Sequence, residues 1–220
     1  MQEGTEKPRR GRGRPRAYDS TTVAVQIVDT FWRHGFAATS LDQLATATGL
    51  NRPSLYGAFG DKKQMYRRAL ELFAAQARAE IAQSLAAPVL AEALHAFYKG
   101  AIAIYRSGST GPRGCLFVCT ATVEAVDDAD IRGDVSRMLQ TIDAALAARF
   151  AAAQAEGDLS SAIAPADLAG LASAVLHSLA VRARSGASRG QLERLADTAV
   201  AMLAGTAPSR RATRRKGATP

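Results

Sequence analysis

The sequence predicts an all-α protein of about nine helices, and three observations carry that prediction. From residue 19 to 205 the apolar residues recur at helical spacing, with almost no strand-like alternation. Hydrophobic residues make up 47% of the 220 positions and aromatics only 6%, and much of the apolar content is alanine, which suits close-packed helices. Three capping boxes, Ser40 with Gln43, Asp61 with Gln64 and Ser188 with Gln191, mark helix starts.

Taken in order, the first helix is expected over 20–34, where Val23, Ile27, Val28, Phe31 and Trp32 form an apolar stripe that Gly35 ends. The Ser40 box opens a short helix with Leu41, Leu44 and Ala45 inward, and Gly49 stops it. Asn51 then caps "RPSLYGAF", where Pro53 is tolerated in a first turn and Leu55, Tyr56 and Phe59 keep the period. The Asp61 box opens a long helix from Lys62 to about residue 86, and Pro88 separates it from a helix over 89–107. The Gly/Pro loop "SGSTGPRG" covers 107–114. Helices over about 115–126 and 130–155 follow, then one opened by Pro165 that ends near Arg184. The Ser188 box opens the last, to about Leu203. No repeat of 20–50 residues is found, so a solenoid is not expected.

The formal charge of +8 is unevenly placed. Residues 1–16 carry net +4 and residues 206–220 net +5, which leaves the body, 17–205, at net −1. Basic tails on a near-neutral body fit a nucleic-acid binder whose tails follow phosphates. The N-terminal stretch "PRRGRGRPR" holds five arginines in nine residues and nothing to bury, so it is expected to be a disordered arm. Its Arg12, Arg14 and Arg16 suit the minor groove flanking a DNA site. The tail 206–220 is expected to be disordered as well. No run of eighteen apolar residues suggests a membrane span, and no apolar segment of signal type follows the basic N-terminus, so the cytoplasm is the expected compartment. Two cysteines, Cys115 and Cys119, do not suggest a disulfide scaffold.

Two short helices, 41–47 and 52–58, joined by a glycine turn under a preceding helix describe a helix-turn-helix unit. The second of them fits a major groove with its first turn toward the bases. Arg52 can donate two hydrogen bonds to a guanine edge or bind phosphate, Ser54 is polar in the same turn, and Tyr56 offers a hydroxyl. Thr39 and Ser40 offer hydroxyls at the start of the other helix, and Lys62 brings a charge to the same surface.

At these residues the chain resembles the TetR family of one-component transcriptional repressors. The run "GFAATSLDQLATATGLNRPSLYGAFGDKKQMYRRAL", 35–70, has the family's Gly-x-x-x-Thr-Ser-hydrophobic opening at 35–41, the Gly49-Leu50 turn, the Ser54-Leu55-Tyr56-x-x-Phe59 recognition helix and Lys62 opening the fourth helix. It departs at Gly57 and Ala58, where members often carry Tyr or His, and at Pro53, which replaces a small residue and offers an apolar surface to a thymine methyl. The resemblance implies a helix-turn-helix DNA-binding domain at 17–64 and an effector-binding and dimerisation domain at 65–205. It further implies a homodimer on a palindromic double-stranded operator, released by a small-molecule effector, with no cofactor. Dimerisation would use the last two long helices. There Leu168, Leu171, Val175, Leu176 and Leu179 form one apolar stripe, and Leu192, Leu195, Ala199, Met202 and Leu203 another, although a monomer could bury both internally.

The expected effector pocket draws on Phe97, Tyr98, Tyr105, Cys115, Phe117, Cys119 and His177. Cys115 and Cys119 at i and i+4 give an alternative within the same fold, a sensor of soft metals or electrophiles, set against the reading of both as small buried apolar residues. A different alternative is an architectural DNA-binding protein acting through the arginine-rich arm, but one arm on a large folded body fits it poorly. Catalysis is not expected. Cys115 with His177 is the one conceivable nucleophile and base, and the sequence places nothing to orient them.

Overall fold

Helix α1 (Ser20–His34) begins where Asp19 accepts hydrogen bonds from the Thr21 and Thr22 amides. It buries Val23, Ile27, Phe31 and Trp32 along one side. The computed structural model describes residues 19–108 and 111–205. The expected arm 1–16, with Arg12, Arg14 and Arg16, and the expected tail 206–220 lie outside the described residues.

All three expected capping boxes form, at α2 (Leu41–Thr48), α4 (Lys62–Leu85) and α9 (Arg189–Leu203). Asn51 caps α3 (Arg52–Phe59), with Pro53 in the first turn, where its missing amide costs nothing. Between α2 and α3 the chain turns on Gly49, whose left-handed φ of 67° is easy only for a residue without a Cβ. The remaining long helices are α5 (Leu90–Tyr105), α7 (Ala129–Ala155) and α8 (Pro165–Arg184).

The segment expected as a regular helix over 115–126 is different. It is a π-helical stretch over Phe117–Ala121 followed by the short α6 (Thr122–Glu124). Side chains hold this wider turn in place. The Thr120 hydroxyl donates to the Leu116 carbonyl and accepts from the Tyr66 hydroxyl of α4 at 2.8 Å. Such interruptions are frequent at functional sites and leave little periodic trace in a sequence.

Among the described residues one core runs from Val23 of α1 through Tyr66 and Phe73 of α4 to Leu203 of α9. Helix α4 carries α1–α3 at its N-terminal end and is clamped to the start of α7 by charges. Lys63 meets Asp128 and Asp130 at 2.8 Å each, and Arg67 grips both oxygens of the buried Asp134 at 2.7 and 3.1 Å. Among the described residues no helix is long and apolar enough to cross a membrane.

Candidate functional site

The outward surface of α2 and α3 follows from what they bury. Leu44 and Leu55 are fully buried and Phe59 nearly so, which turns Arg52, Pro53, Tyr56 and Gly57 to the exterior. Tyr56 is 47% exposed, so it belongs to the surface although it fits the apolar period. Ser40 is exposed and caps α2, its oxygen 3.1 Å from the Gln43 amide. Ser54 is half-buried. Lys62 is also half-buried, with its ammonium 4.5 Å from the Phe36 ring centre.

Thr39 corrects the sequence reading. It is 1% exposed and its hydroxyl donates to the Gly35 carbonyl at 2.6 Å, so it fastens the α1–α2 turn and presents no side chain to a partner. Arg52 carries a second surprise. Its Nε and Nη2 donate to the two carboxylate oxygens of Asp42 at 2.8 and 2.6 Å. Both partners are well exposed, so solvent screens the pair and an outside acceptor can compete for the guanidinium. Asp42 lies ten residues upstream, and only the placement of α2 beside α3 reveals the match.

Gly57 has no internal reason to be glycine. Among the described residues nothing beyond its own helix backbone lies within 4 Å of where its Cβ would stand. A glycine in an exposed helix interior costs about 1 kcal/mol relative to alanine, so the packing of this chain does not account for it.

A second feature lies below, enclosed by α4, α5, residues 115–118, α7 and α8. Phe97, Tyr105, Cys115, Phe117 and His177 line it, joined by Phe73, Ile81, Ile104, Met138, Ile142 and Leu176. Counted out to its mouth the recess takes in about 600 Å³, yet only about 50 Å³ is wide enough for water. It is a narrow slot, and an occupant of benzene size must part its walls, since a dry cavity of about 150 Å³ holds benzene.

Tyr98 and Cys119 fall outside this lining. Tyr98 is fully buried and its hydroxyl donates to the Ala172 carbonyl at 3.0 Å, bracing α5 on α8. The π-helical turn sets the Cys119 Sγ 3.8 Å from the Ala180 carbonyl of α8. Burial favours the neutral forms of Cys115, Tyr105 and His177. It pushes the Cys115 thiol up to about 11, raises the Tyr105 hydroxyl, and lowers the His177 imidazole against the opposing pull of the Asp143 carboxylate. A protonated, buried thiol is a poor nucleophile, which weighs against Cys115–His177 chemistry. Among the described residues no group of three His, Cys, Asp or Glu side chains is gathered as for a metal ion.

The sequence reading missed the joint that ties the slot to α1. The Trp32 indole donates to the Gly114 carbonyl at 2.9 Å and stands edge-on to Phe73, 4.9 Å between centres. Phe73 in turn meets Phe117, and both line the slot. The Arg113 guanidinium lies over the Trp32 ring at 3.9 Å and pairs with Asp29 of α1. From the end of α8, Arg184 donates to the carbonyls of Trp32 and Arg113 at 3.1 and 3.0 Å. Gly114 cannot be replaced here. Its φ is 68°, and a Cβ would stand 2.6 Å from the Ala180 carbonyl and from the Cys119 sulfur.

The apolar stripes of α8 and α9 split in two. Leu168, Leu176 and Leu179, with Leu192, Ala199 and Leu203, are buried within the chain, so the monomer itself consumes them. They are corrected from interface to core. Leu171 and Met202 remain 53% and 75% exposed, and Val175 and Leu195 are half-buried.

Residues 26–69 match the model of the family described as bacterial regulatory proteins, tetR family. The chain is 28% identical over 200 residues to the HTH-type transcriptional repressor ComR of Escherichia coli strain K12, covering 89% of this chain and 94% of that protein. It is 30% identical to a cysteine-substituted form of the TetR family transcriptional regulator CifR, solved with 26-base-pair double-strand operator DNA, with a TM-score of 0.75 over 85% of this chain and 98% of that one. At 17% identity the reduced form of Escherichia coli NemR has the same fold, with a TM-score of 0.69.

Proposed function

The chain belongs to the TetR family of bacterial regulatory proteins, and on that footing we propose that it is a dimeric transcriptional repressor, released from a palindromic operator when a small molecule enters the slot. The observation that carries this reading is the exterior of α3. Arg52, Pro53, Tyr56 and a bare Gly57 face outward while Leu55 and Phe59 anchor the helix from behind. Residues 17–64 read DNA and 65–205 bind the effector and dimerise. Arg52 leaves Asp42 for a guanine edge, Tyr56, Ser40 and Lys62 hold phosphates, and Pro53 meets a thymine methyl. Ser54 lies beside them at the start of α3. Arg12, Arg14 and Arg16 enter the flanking minor groove, best where A·T pairs narrow it. The protein works in the cytoplasm by binding and does no chemistry of its own.

Release starts in the slot. A ligand too large for the empty space parts its walls, and of these Phe73 touches Trp32 while Phe117 bears on Phe73. The displacement reaches α1 through the indole and through Gly114, and α8 through Arg184. Two protomers pair through Leu171, Val175, Leu195 and Met202, so a shift of α1 against α8 changes the spacing of the two α3 helices. Selection of bound sequences from random DNA tests the reading. An inverted repeat is expected, and equal recovery of all sequences would overturn it.

A further inference from the structure

A buried polar atom of the slot lining, the Nε2 of His177, has no protein partner among the described residues, and outside the lining the Oδ1 of Asp143, whose carboxylate acts on that imidazole, has none either. Buried polar atoms are nearly always paired, so each unpaired one asks for an explanation. His177 lines the slot from α8, and Asp143 follows the lining residue Ile142 on α7. The remaining walls are overwhelmingly aromatic and aliphatic, while the exposed Glu80 belongs to the same lining. An entering anion therefore meets a like charge and then an apolar slot that cannot solvate it. A carbonyl group suits only a donor. A hydroxyl both donates and accepts, so it satisfies an imidazole nitrogen in either tautomer and can also donate to a carboxylate oxygen.

We infer that the slot takes an uncharged molecule with a ring-sized apolar body and a single hydroxyl, and that the hydroxyl is fixed by His177 Nε2. The proposal rests on the slot being the effector site, and it names the effector's class. Mono-hydroxylated small aromatics fit it, whereas carboxylates and ammonium compounds of the same size do not. His177 fixes orientation and preference, and the apolar walls, Phe73, Phe97 and Phe117 among them, supply the attraction.

The test uses four matched probes, phenol, toluene, benzoate and benzylamine, titrated into the full-length dimer. Trp32 is the one tryptophan of the chain and touches a slot wall, so its emission reports occupancy. Phenol should bind about three- to ten-fold more tightly than toluene, the size of one net hydrogen bond, and the two charged probes should not bind. His177→Leu should bring phenol and toluene level while toluene binding persists. His177→Gln, which keeps a hydrogen-bonding group, should retain the preference and covers the case in which the leucine variant does not fold. Equal binding of phenol and toluene by the unaltered protein, tighter binding of benzoate or benzylamine, or a preference unmoved by His177→Leu would each overturn the proposal. Phenol binding in the predicted order without any loss of operator affinity would overturn the regulatory reading and leave the ligand class standing.

Discussion

Replacing Trp32 with phenylalanine is the sharpest way to ask whether the slot and the DNA-reading helices are mechanically joined. The substitution keeps a ring against Phe73 and under Arg113 but deletes the indole N–H that meets Gly114 at 2.9 Å. Leaving the Gly114 carbonyl without its donor costs about 1–3 kcal/mol. The smaller ring leaves a void of roughly 35 Å³, worth about 1 kcal/mol at about 24 cal/mol per Å³. The expected loss is therefore about 2–4 kcal/mol, a sizeable part of the 5–15 kcal/mol typical of folded proteins. Urea unfolding at one fixed protein concentration measures it, because dimerisation makes apparent stability concentration-dependent. Operator affinity without ligand should change little, while ligand-induced release should weaken. A loss below about 0.5 kcal/mol together with unchanged release would refute the reasoning, since a joint that bears the coupling cannot be removed silently.

Further outcomes follow from the same geometry. Arg52→Ala should erase about ten- to a hundred-fold of discrimination at one base pair of each half-site, measured by competition with single-substituted operators, and Asp42→Asn should strengthen binding to non-specific DNA by freeing the guanidinium. Gly57→Ala should raise stability by up to about 1 kcal/mol, since its Cβ meets nothing among the described residues, yet weaken operator binding; unchanged affinity would mean that DNA does not approach that face closely. Met202→Arg or Leu171→Arg should convert the dimer to monomer in sedimentation with the fold intact, whereas Leu179→Ala should cost about 2–5 kcal/mol as a core deletion and leave dimerisation in place.

Local chemistry made most of the fold legible. Capping boxes, Gly49 and Pro53 act through neighbours in sequence, so the starts of α2, α3, α4 and α9 could be read directly. The π-helical turn could not, because its cause is Thr120 meeting Tyr66 fifty-four residues away. The same limit explains Thr39 and Tyr98, whose hydroxyls signal a surface or a pocket in sequence and are spent on buried carbonyls in the fold. The stripes on α8 and α9 marked burial correctly but not the partner, since periodicity does not say whether a leucine meets its own chain or another. The joint at Trp32, Gly114 and Arg184 spans 152 residues and has no local signature at all.

The central claim, that α3 of two protomers reads one operator, is tested most directly by a hydroxyl-radical footprint on a selected site. Two protected half-sites should appear about one helical turn, or a multiple of it, apart. Flanking minor-groove protection should be strongest on A·T pairs, and a chain lacking residues 1–16 should lose that flanking protection alone. Uniform protection along the fragment, indifferent to sequence and unchanged by Arg52→Ala, would contradict the account.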